Sequence, residues 1–153
     1  NAKHQQVYQQ LKKLTEEQWV TFQAHSQSDK PDKKIYEITK LGKKELSEWI
    51  KQPVKTNRIN DALLVKLYGG HLAPQENLMN ELENHTEIHQ STLENLERIE
   101  QLYLSLNEEK KAHYLLPYMT LRRGIIGERA WLEWAEEVKS TLQTQSPNIK
   151  KAD

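Results

Sequence analysis

The first residues whose types and spacing could do chemistry are the hydrogen-bonding and cationic side chains near the start of the chain. Lys3, His4, Gln5, Gln6 and Gln9 fall within one short polar segment. A glutamine amide both donates and accepts hydrogen bonds, and it can bond the edge of an adenine through two of them. On an exposed helical face such side chains are suited to the major groove of a duplex. The alternative is an ordinary solvated helix face, which the same residue types also form.

A second group of candidates is cationic. Lys30, Lys33 and Lys34 lie close together at the end of a polar stretch that spans residues 25–34. Lysines in this arrangement can pair with the phosphates of a nucleic-acid backbone. Clusters of this kind are also common as simple solvated loops. Composition and spacing alone therefore leave nucleic-acid binding and a plain surface role both open.

The elements that must position these residues can be predicted from hydrophobic periodicity. Apolar residues at steps of three and four predict a helix from Lys3 to Trp19, with Val7, Leu11 and Leu14 facing a core. The period then changes to two, and β-branched and aromatic residues predict strands at 19–24 and 35–39. The polar stretch between them is predicted to be a long loop with a basic tip.

A second helix is expected directly after this hairpin. Thr39 can cap it, and it should run from Leu41 to about Lys51 until Pro53 stops it. Its inward residues are predicted to be Leu46, Trp49 and Ile50. Helix, basic hairpin and helix in this order match the back half of a winged helix-turn-helix.

The remainder of the chain reads as helical. A short helix, capped by Asn60 or Asp61, carries an apolar face formed by Leu63, Leu64, Leu67 and Tyr68. A long helix follows from about Gln75 to Leu104, with a stripe made of Leu78, Leu82, His85, His89, Thr92, Leu96, Ile99 and Tyr103. After a break at 106–109 a last helix should run from about Glu108 to Gln143, and Pro117 either kinks it or marks its true start. The tail from Thr144 onward is expected to fray.

Composition bounds the function classes. The 153 residues include no cysteine, which excludes disulfides, thiolate metal sites and cysteine nucleophiles. The net charge is zero, but residues 1–52 carry ten lysines against seven acidic residues, a local charge of +3, and the rest carries −3. Because the electrostatic field depends on local charge, a basic front and an acidic back suggest two different roles. No apolar run is long enough for a membrane span, so a cytoplasmic protein without membrane contact is expected.

Two further side-chain groups have alternative interpretations. His85 and His89 are one helical turn apart and could chelate a metal ion, or they could be polar positions on a helix seam; we expect the latter and no metal site. Aromatic rings and a guanidinium group suit a flat aromatic acid, and the candidates for such an effector pocket are Tyr114, Tyr118, Arg122, Trp131 and Trp134. The alternative is plain packing, with the arginines paired to Glu128, Glu133 or Glu136.

Catalytic motifs are not apparent in the sequence. The pair Gly69–Gly70 follows a predicted helix instead of opening one, so it does not form a phosphate-binding loop. No local motif arranges a serine and a histidine as nucleophile and base. We therefore expect neither an enzyme nor a cofactor.

Several segments resemble a known family. Residues 4–11, 29–39 and 46–49, together with 64–67, 120–124 and 131–134, are similar to the PadR family of transcriptional regulators, in particular its subgroup with a long C-terminal helical domain. The resemblance runs in order over nearly all of residues 3–143. The hairpin motif and the Trp131–Trp134 segment (Trp-Leu-Glu-Trp) are its most specific parts.

This resemblance implies a mainly α-helical protein with one β-hairpin. Residues 1–53 would be the C-terminal part of a winged-helix DNA-binding domain, and residues 54–153 a helical dimerisation domain. It implies that the recognition helix carries Lys3, His4, Gln5, Gln6, Tyr8 and Gln9, and that the wing carries Lys30, Lys33 and Lys34. Family members have two more helices before the recognition helix, and we expect these to precede Asn1 in the full protein.

The function that follows is a homodimeric regulator that binds an inverted-repeat operator in double-stranded DNA. We expect a repressor that a small aromatic (phenolic) acid releases from DNA. The alternative is a helical dimerisation or adaptor protein that makes no direct contact with DNA. Salt-sensitive binding to promoter DNA distinguishes the two hypotheses.

Overall fold

The computed structural model describes residues 2–27, 30–56 and 60–145, and the side chains of residues 5–24, 33–56 and 60–144. These residues form helices and one antiparallel hairpin, which confirms the predicted mainly helical class. The elements are α1 (Ala2–Glu16), β1 (Val20–Gln27), β2 (Lys30–Ile38), α2 (Lys40–Ile50), α3 (Ala62–Tyr68), a short 3-10 turn (Gly70–Leu72), α4 (Gln75–Leu104), α5 (Glu108–His113) and α6 (Leu115–Gln145). The chain divides into two compact units, residues 1–58 and 59–153.

The end of α1 is set by one residue in the left-handed region. Gln18 has a φ of 59°. Its N–H donates to the carbonyl of Thr15 at 3.0 Å, and the N–H of Trp19 donates to that of Leu14 at 2.9 Å. This pair of bonds is the Schellman motif, which satisfies carbonyls that the last helical turn leaves free. The chain is thereby turned directly into β1.

A tight junction joins the start of β1 to the start of α2. The Thr39 hydroxyl donates to the carbonyls of Gln18 (2.7 Å) and Trp19 (3.2 Å), and it accepts from the Gly42 N–H at 2.9 Å. Thr39 thus caps α2, as predicted. Gly42 is buried, and a Cβ on it would lie only 2.1 Å from the Trp19 carbonyl oxygen. The backbones therefore approach so closely here that only glycine fits.

The hairpin corrects the predicted loop. Instead of a polar loop over residues 25–34, the strands continue, with Ala24 paired to Lys34, His25 to Lys33 and Gln27 to Lys30. Ladder hydrogen bonds outweigh the turn preference of these polar residues, because each pair satisfies backbone groups that a loop would leave to water. Residues 28 and 29, which connect the strands, lie outside the described residues.

The predicted inward face of α2 is also corrected. Leu46 and Trp49 line an apolar groove of about 610 Å³ with Leu14, Trp19 and Ile38, but they remain 47% and 59% exposed. Ile50 is exposed as well, and so is Val7 on α1. The groove is lined from both helices and both strands of this unit but stays open, so these apolar residues remain exposed in the described part of the unit.

The second unit is built on two long antiparallel helices. Ion pairs join Glu83 to Lys139, Glu97 to Arg129 and Glu100 to Arg122, so partners on α6 move backwards as those on α4 advance. Its buried apolar residues are Leu63, Leu78, Leu82, Leu93, Ile125 and Ala135. Helix α3 packs through Leu63, with Leu67 partly buried beside it.

Some of the predicted helical stripe does not face this core. Leu64 and Tyr68 on α3 and Ile99 on α4 are exposed. On α4 the buried positions include Leu93 and Glu100 instead of Thr92 and Ile99. Neighbouring residues on a helix point about 100° apart. Thr92 and Ile99, which were predicted to face the partner helix in place of Leu93 and Glu100, therefore point away from it.

The helix boundaries follow local signals. Asp61 caps α3 by accepting from the Leu63 N–H at 2.9 Å, and α4 has the predicted bounds. The predicted last helix is interrupted at Tyr114, so α6 begins at Leu115 and Pro117 lies in its first turn, where a missing N–H costs nothing. The tail was predicted to fray from Thr144, but α6 continues to Gln145; the residues after it lie outside the described part of the chain. No helix in the described ranges is both long and apolar enough to cross a membrane.

Candidate nucleic-acid interface and the helical clusters

One face of α1 carries an exposed row of polar side chains. Gln5, Tyr8, Gln9 and Lys12 are spaced by three and four residues, so they lie on the same face, opposite Leu11 and Leu14. All four are exposed, Tyr8 to 65%. This face therefore offers two amides, a phenol and a cation to a partner.

The structure separates the predicted recognition residues. Gln6 lies about 100° around α1 from Gln5, so it belongs to the flank beside Lys13 and not to the same row. Lys12, by contrast, belongs to the row, although the sequence analysis did not include it; its spacing of three from Gln9 was the available signal. Lys12 lies 3.8 Å from Glu16, an exposed contact. Lys3 and His4 lie in α1, and their side chains are outside those described.

Lys33 and Lys34 of the predicted wing do not share one face of the hairpin. Lys33 and Lys34 are consecutive on β2, and successive strand residues point to opposite faces of the hairpin. Lys34 shares its face with Phe22 and Tyr36, and its ammonium lies 4.6 Å from the centre of the Phe22 ring. Lys33 lies on the other face, with Ile35 and Glu37. Lys30 begins β2, and its side chain is outside those described.

A buried carboxylate joins the two long helices. Glu100 on α4 accepts hydrogen bonds from the Tyr118 hydroxyl at 3.1 Å and from the Arg122 guanidinium at 2.9 Å. Burial acts to raise the pKa of Glu100, but these two hydrogen bonds together with the positive charges of Arg122 and Arg129 outweigh it and hold the pKa below its ordinary value. Burial, and then the bond to Glu100, raise the pKa of Tyr118. Tyr103 stacks on the Tyr118 ring with centroids 3.9 Å apart.

The histidine pair packs on a tryptophan. His89 stacks on Trp131 with ring centroids 3.7 Å apart, and His85 lies 6.3 Å away on the same ring. The His89 Nδ1 atom also contacts the Glu128 carboxylate. Among the residues described, no group of three histidine or acidic side chains is arranged to hold a metal ion. The two histidines thus occupy the seam between α4 and α6.

The five predicted effector-pocket residues fall into separate places. Tyr118 and Arg122 belong to the Glu100 cluster, whereas Trp131 and Trp134 pack at the core near the histidines. Tyr118 and Trp131 are thirteen residues apart on α6, about 20 Å along the helix. Tyr114 lies at the α5–α6 break and is exposed. The predicted arginine partners also differ, because Arg122 pairs with Glu100 and Arg129 with Glu97.

Glu100 itself was missed by the sequence analysis. It follows Leu93 and Leu96 at helical steps and precedes Tyr103, so a charged residue occupies a position of the apolar stripe. Acidic residues are almost never buried without a partner. That placement was the signal for an ion pair with the opposite helix.

A helix with an exposed polar face, a hairpin bearing lysines and a separate unit of long antiparallel helices define a winged-helix regulator with a helical C-terminal domain. Residues 1–48 match the family model described as the Transcriptional regulator PadR-like family, and residues 59–143 match the one described as Virulence activator alpha C-term. The chain belongs to the PadR family of transcriptional regulators, in the subgroup with a long C-terminal helical domain.

Individual relatives agree with this assignment. The chain is 30% identical over 150 residues to the negative transcriptional regulator PadR of Bacillus subtilis, covering 93% of this chain and 80% of the relative. A crystal structure of that PadR with operator DNA aligns with a TM-score of 0.68 and 25% identity, covering 91% of this chain and 78% of the other. The virulence activator AphA of Vibrio cholerae aligns with a TM-score of 0.68 and 28% identity, covering 93% and 79%.

Proposed function

We propose that this protein is a sequence-specific DNA-binding repressor that acts as a homodimer on an inverted-repeat operator. The observation that carries the proposal is the exposed row of Gln5, Tyr8, Gln9 and Lys12 on α1, in the same unit as a hairpin with outward lysines. The amides suit base edges in the major groove, and the lysines suit phosphates. Support comes from the B. subtilis relative, which was crystallised on operator DNA. The proposal also places the protein in the cytoplasm, because that is where a bacterial DNA-binding regulator meets the chromosome.

DNA binding is tested by fluorescence anisotropy with DNA from the promoter region of the protein's own gene. Changing both Lys33 and Lys34 to Ala should weaken binding to all sequences and flatten the salt slope by about two units. Changing Gln5 or Gln9 to Ala should instead alter which sequences are preferred. Lys110→Ala in the helical unit is the matched control and should bind like the wild type. Wild-type protein whose DNA binding is absent or insensitive to salt would refute the proposal and favour the adaptor alternative.

Dimerisation is supported by exposed apolar residues near the connection between α4 and α6. Ile99, Leu102, Leu116 and Met119 are all between about half and four-fifths exposed. Apolar patches of this kind mark interaction surfaces in proteins that are otherwise polar outside. Two symmetric copies would place two recognition helices on half-sites one or two DNA turns apart, with about 34 Å per turn.

The dimer is tested by sedimentation velocity. Leu102→Asp should shift the wild-type dimer towards monomer, because a carboxylate would be buried in the interface without a partner. Gln101→Asp places the same charge on the adjacent exposed residue and should leave the dimer intact. A wild-type monomer at micromolar concentration, or equal behaviour of both variants, would contradict this part of the proposal.

The most specific part of the proposal is that the effector is an aromatic acid. The B. subtilis PadR has also been crystallised with p-coumaric acid. A ring and a cation are the groups that an aromatic acid needs, and on α6 Tyr118 and Arg122 supply both within one cluster, whereas Trp131 and Trp134 lie about 20 Å along the helix. Adding p-coumaric acid should release this protein from its operator in the same anisotropy assay, and Trp131→Phe and Trp134→Phe variants would assign any change in tryptophan fluorescence. Operator affinity that does not change at millimolar ligand would exclude p-coumaric acid as the effector.

A further inference from the structure

We propose that Phe22 is a positioning residue that holds Lys34 ready for a DNA phosphate, so that Lys34 contributes more to binding than Lys33. The inference rests on the proposed DNA-binding function and adds a specific division of labour within the hairpin. It depends on how the strand register places the Phe22 ring on the same face of the hairpin as Lys34 and on the opposite face from Lys33.

The register creates a contact between Lys34 and Phe22 across the two strands. Phe22 lies directly opposite Tyr36, and Ala24 lies directly opposite Lys34, so Phe22 and Lys34 are diagonal neighbours on one face. A long side chain can reach a diagonal neighbour, and the small Ala24 opposite leaves it room to do so. The Lys34 Nζ atom lies 4.6 Å from the centre of the Phe22 ring. Tyr36 supports that ring, with centroids 5.4 Å apart and a tilt of 43°.

This contact prepares the lysine for an anion. The face of an aromatic ring is electronegative and attracts an ammonium group within about 6 Å of its centre. The ammonium has three N–H donors, so those that point away from the ring stay available to phosphate oxygens. Restricting the side chain before binding reduces the conformational entropy lost when the phosphate is bound. Lys33 points to the opposite face, where the Phe22 ring cannot restrain it.

The experiment compares operator affinity and salt slope for the wild type, Lys33→Ala, Lys34→Ala, Phe22→Leu, Phe22→Tyr and the double variant Phe22→Leu/Lys34→Ala. Lys34→Ala should weaken binding more than Lys33→Ala. Phe22→Leu should weaken it about two- to fivefold, while Phe22→Tyr, which keeps the ring, should bind like the wild type. In the double variant the Phe22 change should have no further effect, because its partner is already absent.

The salt slope separates positioning from direct contact. Lys34→Ala should reduce the slope by about one, whereas Phe22→Leu should leave the slope unchanged, because the lysine still reaches its phosphate. In the free protein, the Lys34 ε-methylene protons should show an upfield ring-current shift by NMR that Phe22→Leu abolishes and Phe22→Tyr retains. That shift reports the contact in the absence of DNA.

The outcomes distinguish the positioning role of Phe22 from the proposed DNA-binding function on which it rests. A wild type without salt-dependent DNA binding would overturn both. Normal wild-type binding with equal losses for the two lysine variants, or with Phe22→Leu and Lys34→Ala losses that simply add, would overturn the positioning role alone. If Phe22→Leu fails to fold by circular dichroism, the lysine comparison and the NMR shift of Lys34 in the wild type still decide the matter.

Discussion

Each of the two units of this chain is stabilised internally in a different way. In the helical unit six apolar residues are buried, and ion pairs join α4 to α6 along their length. In the described part of the first unit, the buried position is Gly42, and the large apolar residues line a groove that remains open. The first unit therefore depends on backbone geometry at one junction, whereas the second depends on side-chain packing.

This difference suits the tasks proposed for the two units. A surface that reads DNA needs its helix and hairpin fixed at a defined relative angle. The Thr39 hydroxyl helps to fix it without a large core, because it donates to the Gln18 carbonyl just after α1 and accepts from the Gly42 N–H at the start of α2. A scaffold for a dimer needs rigidity over the whole length of its helices, which only continuous packing provides. Substitutions that remove buried side-chain volume should therefore destabilise mainly the helical unit, and substitutions that disturb backbone geometry should destabilise mainly the first unit.

The largest effect is expected from removing buried volume in the helical unit. Leu63 is 3% exposed and Leu64, its neighbour on α3, is 40% exposed. Leu63→Ala should destabilise the fold by about 2–4 kcal/mol, because it leaves a cavity, whereas Leu64→Ala should cost under about 1 kcal/mol. Urea unfolding at a matched protein concentration measures both. Equal losses for the two variants would show that α3 does not pack as described.

A somewhat smaller effect should come from added volume at the junction. Gly42→Ala brings a Cβ to within 2.1 Å of the Trp19 backbone oxygen, and backbone cannot move aside cheaply. We expect a loss of about 1–3 kcal/mol and, under the proposed function, weaker DNA binding, since the connection from α1 to β1 packs against the start of α2 here. In Gly69→Ala, the control in the helical unit, the new Cβ would lie 3.7 Å from its nearest neighbour. That variant should be stable, and a tolerated Gly42→Ala would contradict the junction argument.

Sequence periodicity predicted the helices well where local signals were strong. The bounds of α4 and the caps at Thr39 and Asp61 were predicted because capping residues, a proline and a regular stripe coincide there. The continuation of the strands over residues 25–27 and 30–34 was not predicted, because the polar side chains there gave no alternating pattern. The exposure of Leu46 and Trp49 was not predictable either, since periodicity shows which residues share a face but not whether another layer covers it.

The pH dependence of stability should distinguish the units further. The lowered pKa of Glu100 means that its contribution to stability is present above its ordinary pKa of 4.5 and is lost as the pH falls through the lowered value. Glu100→Gln should therefore be less stable than the wild type at neutral pH and should lose less on acidification. Thermal unfolding at a series of pH values from about 7 to 3 measures the two slopes. Parallel acid limbs would show that the Glu100 cluster does not couple to folding.

The candidate site was only partly readable from sequence for a similar reason. The α1 residues could be placed on a helix, and helical spacing would also have put Lys12 in the row and Gln6 on its flank, but only the structure shows that this face is exposed. Lys33 and Lys34 looked equivalent as neighbours in sequence, and only the strand assignment separates them. The aromatic residues of α6 were grouped by composition, although their distance along the helix separates them.

The smallest expected effect tests the backbone argument at the end of α1. Gln18 adopts a φ of 59°, a left-handed conformation that costs an L-residue with a Cβ about 1–2 kcal/mol and glycine very little. Gln18→Gly should therefore stabilise the protein by about 0.5–1 kcal/mol, because the relief of strain exceeds the extra entropy that glycine gives the unfolded chain. Gln10→Gly makes the same chemical change inside α1 and should destabilise by a similar amount, since glycine weakens a helix interior. Opposite signs in urea unfolding would show that backbone conformation, not the glutamine side chain, fixes the end of α1; losses in both variants would refute it.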